Sequence, residues 1–73
     1  MTHDDLQQAA ADYDRLADRL EVAARHLRQT AVHFRAAAVP PACAHVVAAE
    51  GELVAVRRGL DARAEVHAAR SDG

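Results

Sequence analysis

Large apolar residues recur at every seventh position through the first half of the chain: Leu6, Tyr13, Leu20, Leu27 and Phe34. Three places after each stands a small or apolar residue: Ala9, Leu16, Ala23, Thr30 and Ala37. Consecutive heptads with both seam positions filled predict a helix that lies against another helix. Pro40 and Pro41 end the pattern, and Val39, preceding a proline, is steered out of the helical region. The first helix is therefore expected over about residues 4–38 and the turn over 39–41. Thr2 and Asp5 have the spacing of a capping box at its start.

A second helix is expected over about residues 42–69, with Pro41 at its first position and residues 70–73 as a frayed tail. Its pattern is less regular. Val46, Val47, Val54 and Val56 are weak helix formers, and Gly51 and Gly59 interrupt the run. Two strands, His45–Ala49 and Glu52–Arg57 around a Glu50-Gly51 turn, form the competing reading. The flanking alanines and the charged stretch after Gly59 favour the helix.

A tight turn centred on Pro40 makes the two helices antiparallel and pairs residues whose numbers sum to about 80. Phe34 then meets Val46, Leu27 meets Leu53, Leu20 meets Leu60, Leu16 meets Ala64, and Tyr13 meets His67. The expected hairpin seam is thus Tyr13, Leu16, Leu20, Leu27, Phe34, Val46, Leu53 and Leu60. The charges suit the same orientation, setting Arg28 near Glu52, Asp18 near Arg63 and Asp12 near Arg70. Such exposed pairs contribute only about 0–1 kcal/mol each but select the antiparallel arrangement. On the second helix Val46, Ala49, Leu53, Val56 and Leu60 face the seam, and Val47 and Val54 lie about a hundred degrees round; this is more apolar surface than one neighbour covers, which implies a further contact through Val47, Val54 and Val56. The fold class expected is all-α: a two-helix hairpin, coiled-coil-like, pairing with a second copy as a four-helix bundle.

Seventy-three residues make a single domain, and a chain this short buries little surface without a staple or a partner. Cys43 is the sole cysteine, so no intrachain disulfide staples it. Alanine and arginine dominate while Lys, Ile, Asn and Trp are missing, a bias towards GC-rich codons that suggests a bacterial source. The formal charge of −2 argues against a general nucleic-acid or anionic-membrane binder. The polar start, Met1-Thr2-His3-Asp4-Asp5, does not read as a secretory signal, and no apolar run is expected to approach the roughly 20 residues that span a bilayer. A cytoplasmic location is the expectation.

Three chemistries compete with plain packing. Cys43, His45 and His33 gather at the turn end in the expected register, and Cys and His are zinc ligands; the spacing nevertheless matches no zinc motif. Cys43 also sits in a first helical turn, which favours a thiolate and hence a redox role. His26 and His33, with Arg25, Arg28 and Arg35, make a basic half-helix that could follow a DNA backbone, but there is no recognition-helix unit or basic arm. Enzyme signatures are missing: no phosphate-cradling glycine loop, no nucleophile elbow, and no serine before Ser71. No cofactor or small-molecule substrate is expected. The residues point to a small non-catalytic protein–protein interaction module that binds itself, another protein, or both.

Overall fold

A computed structural model describes residues 1–72, and they form two long helices, α1 (His3–Arg35) and α2 (Val39–Asp72), packed side by side. The hairpin measures 55 × 19 × 12 Å. The capping box is present: the Asp5 N–H donates to the Thr2 hydroxyl and the Thr2 N–H donates to the Asp5 carboxylate, both at 3.1 Å. The strand alternative is overturned, since His45–Arg57 is helical throughout.

The turn lies earlier than the prolines. Ala36, Ala37 and Ala38 make it, and Ala37 adopts the left-handed conformation at φ 58°. The Ala37 N–H donates to the Phe34 carbonyl and the Ala38 N–H to the His33 carbonyl, which together form a Schellman stop with alanine where glycine is usual. Val39, Pro40 and Pro41 then open α2. Proline is tolerated there because the first N–H groups of a helix have no intrahelical partner to lose. The expected helix ends at 38 and 42 are corrected accordingly. At the far end α2 continues to Asp72, so residues 70–72 are helical and the rest of the expected tail lies outside the described residues.

Moving the turn changes the register. The cross-helix contacts join residues whose numbers mostly sum to between 71 and 75, and the expected ion pairs are exchanged for others. Glu52 pairs with Arg19, Arg63 with Asp12, and Arg70 with Asp5, at 3.2, 3.2 and 4.0 Å. Tyr13 does meet His67, its hydroxyl lying 3.3 Å from Nε2.

The larger correction concerns which residues form the seam. Ala23, Thr30, Ala42, Ala49 and Val56 are the buried residues, with none of the large leucines or aromatics among them. Small residues let the backbones approach, so the Thr30 hydroxyl donates across the seam to the Ala42 carbonyl at 3.2 Å and lies 3.0 Å from the His26 carbonyl of its own helix. Leu16 is half-buried and presses on Gly59, where an added Cβ would stand 2.5 Å from its Cδ2. The glycine that looked like a helix interruption makes room for a leucine. Of the other expected seam residues, Val46 is half-buried, while Tyr13, Leu20, Leu27, Phe34, Leu53 and Leu60 are exposed.

Candidate interaction surface

The two helices carry matching heptads. In α2 the seam residues Ala42, Ala49, Val56 and Arg63 are seven apart, and so are Val39, Val46, Leu53, Leu60 and His67. In each helix the large apolar residue stands three places before the seam residue. On antiparallel right-handed helices, a shift of the same sign from the seam leads to the same side of the hairpin. Leu6, Tyr13, Leu20, Leu27 and Phe34 of α1 therefore lie on one face with Val39, Val46, Leu53 and Leu60 of α2. The Tyr13–His67 contact, with ring centroids 5.7 Å apart, ties the two rows together.

This face is open. Leu27 and Phe34 are each about half exposed, and Leu20, Leu53 and Leu60 are close behind. Val47 and Val54 continue the apolar surface around the outer flank of α2, both exposed. Val56, expected beside them, is instead 5% exposed and belongs to the seam. The heptad spacing from Ala49 also sets it on the seam, and that is the placement observed.

The opposite face is polar. His45 lies between two histidines of α1: its Nδ1 is 2.9 Å from Nδ1 of His26, and its ring stacks on His33 with centroids 5.3 Å apart. Further along, Arg19 meets Glu52. Beyond that, Asp12 accepts from Arg15 and Arg63, and the Arg63 guanidinium lies over the Tyr13 ring at 5.8 Å. A shallow groove of about 320 Å³ runs beside Gly59 between Asp12, Arg15, Arg19 and Arg63. The buried Nε of Arg63 has no hydrogen-bond partner.

The metal site is not assembled among the described residues. His33 and His45 do come together, but stacked imidazoles aim their in-plane lone pairs along parallel planes and not at one point. Cys43 is exposed and stands two residues from His45, so it projects from a different side of α2. Among the described residues no group of three His, Cys, Asp or Glu side chains could hold a metal ion. Arg25, Arg28 and Arg35 share the outer flank of α1 and take part in no ion pair among the described residues.

Two further points qualify the reading from sequence. Among ionisable groups, Asp5 is held below the usual carboxylate range, chiefly by the Thr2 backbone N–H and then by its side chain. By length and composition alone, α2 is apolar enough to cross a bilayer, which corrects the expectation that no apolar stretch is long enough. Glu52 is tied to Arg19 across the hairpin. Compared with known proteins, the chain matches no family model, no curated protein and no solved structure.

Proposed function

We propose that this chain is a small, non-catalytic protein–protein interaction module whose working surface is the leucine face. In its simplest assembled form two hairpins cover each other's faces as a four-helix bundle in the cytoplasm, without cofactor or small-molecule substrate.

One observation carries the reading: the hairpin's leucines other than Leu16 and its two aromatic residues, Tyr13 and Phe34, are left largely in solvent, most of them on one face, while its interior holds three alanines, one valine and one threonine. A two-helix scaffold this small, with no disulfide or metal, buries too little apolar surface to be held together without a partner. Covering the leucines supplies the missing apolar burial, and a surface of this kind is how small helical domains engage other helices.

The test is sedimentation equilibrium of the wild-type chain beside L20E/L27E. Glutamate is a good helix former, and both positions lie outside the seam, so a loss of association would come from neither helix propensity nor seam contacts. The wild type is expected to associate at micromolar concentration and the variant to sediment as a monomer with looser helices. Equal association of the two would remove the leucine face from the account.

A further inference from the structure

We infer that the partner is a second copy of this chain, docked through α1 in antiparallel orientation about a two-fold axis that passes beside Ala24. This rests on the interaction reading and gives it an occupant and a register.

The first argument is area. The chain exposes 5290 Å². A compact monomer of 7.8 kDa is expected to expose about 4,400 Å². The excess, about 900 Å², is close to the roughly 800 Å² that each partner contributes to a standard stable interface. The hairpin is short of cover by about one copy of its own face.

The second argument is charge. The outer flank of the leucine row on α1 carries Asp14, Glu21, Arg28 and Arg35, again seven apart, acidic first and then basic. None of the four joins an ion pair within the described residues of the hairpin. Turn a second α1 end for end, and Asp14 faces Arg35 of the second copy while Glu21 faces Arg28. A parallel copy would set acid on acid and arginine on arginine. The sequence of signs is thus self-complementary only in the antiparallel sense, as an isologous contact demands.

The apolar residues obey the same axis. Leu20 then faces Leu27 of the second copy, and Tyr13 faces Phe34. Between the leucines and the charged flank runs a further row, Ala10, Ala17, Ala24, Ala31 and Ala38. Under the same operation Ala24 meets its own copy and Ala17 meets Ala31, so the helices can approach closely.

The hairpin register then fixes what α2 does. Thr30 with Ala42 and Asp12 with Arg63 set Ala24 level with about residue 50 of α2. The same axis brings Val46 opposite Leu53 of the second copy, Val39 opposite Leu60, and Val47 opposite Val54. One two-fold therefore satisfies the apolar rows of both helices, a coincidence that neither helix requires alone. Glu50, one place after Ala49 as Ala24 is after Ala23, approaches its own copy, a repulsion that the apolar rows on either side must outweigh.

The test uses single cysteines in the full chain with Cys43→Ala. Only a residue beside a two-fold axis can form a disulfide with its own copy, because the Cα atoms must come within about 7 Å. On oxidation at tens of micromolar, A24C is expected to give covalent dimer at least tenfold faster than A10C, and an equimolar mixture of A10C with A38C to give the mixed dimer. As a second readout, E21R should weaken association roughly three- to tenfold, and E21R/R28E should restore it. These two positions are seven apart on one helix, so the rescue must act between copies. Equal cross-linking of A10C and A24C would mean parallel packing and overturn the inference. A dimer in sedimentation without A24C cross-linking would overturn it too while leaving the interaction reading standing. A monomer at hundreds of micromolar would remove the second copy as the occupant, and the leucine face would then belong to a different helical protein.

Discussion

The hydroxyl of Thr30 lies 3.2 Å from the carbonyl oxygen of Ala42 in the facing helix, a side-chain-to-backbone contact between two buried seam residues. A hydroxyl one bond beyond Cβ reaches a neighbouring helix's main chain only when the helices are drawn together by small residues. The seam is therefore defined by closeness, and its stability depends on the absence of bulk.

Adding bulk should accordingly destabilise. Ala23 is 2% exposed, and Ala23→Leu forces the helices apart or the leucine off its rotamer, at a cost of about 1–3 kcal/mol. Urea unfolding followed by circular dichroism checks this. A variant as stable as the wild type, or more so, would show that the seam has room and that alanine is not what sets the spacing.

The turn offers a gain. Ala37 holds φ 58°, a region that costs a residue with a Cβ about 1–2 kcal/mol and glycine almost nothing. Ala37→Gly is therefore expected to raise stability by about 1 kcal/mol, less the extra entropy glycine has in the unfolded chain. A fall in the urea midpoint would contradict the turn geometry.

The start of α1 carries a pH dependence with a definite sign. Thr2 holds the Asp5 carboxyl below its ordinary value, so the carboxylate contributes stability above about pH 3.9 that is lost as pH falls through the lowered folded value. A carboxyl-detected NMR titration should give Asp5 a midpoint below the ordinary aspartate value. Thr2→Ala, which keeps the backbone N–H but removes the hydroxyl, should move that midpoint part of the way back. An unmoved midpoint would separate the cap from the titration.

The heptads were plain in the sequence, and so were two antiparallel helices, the capping box and the Tyr13–His67 contact. The choice between neighbouring stripes was not. Leu27 and Ala23 stand about one turn apart on α1, and a rule that sends the larger residue inward selects Leu27. That rule presumes a finished core. In a lone pair of helices, close approach through Ala23, Thr30, Ala42 and Ala49 satisfies backbone and hydroxyl groups first, leaving leucines for a later contact. The turn was misplaced for a related reason. Pro40 and Pro41 look like stop signals, but their missing N–H groups do no harm in the first turn of α2, and nothing in Ala36-Ala37-Ala38 announces a left-handed residue. Val56, which the pattern sets both on the seam and with the outward valines, is buried on the seam, whereas Val47 and Val54 are exposed.

The register is the relationship on which the open face depends, and a pair of double-cysteine variants in the Cys43→Ala background reads it directly. Oxidised at high dilution, T30C/A42C should close an intramolecular disulfide nearly completely, while D18C/R63C, the pair that a turn at Pro40 would bring together, should stay reduced. Closure of D18C/R63C with T30C/A42C left open would contradict the alanine seam and return the leucines to the interior.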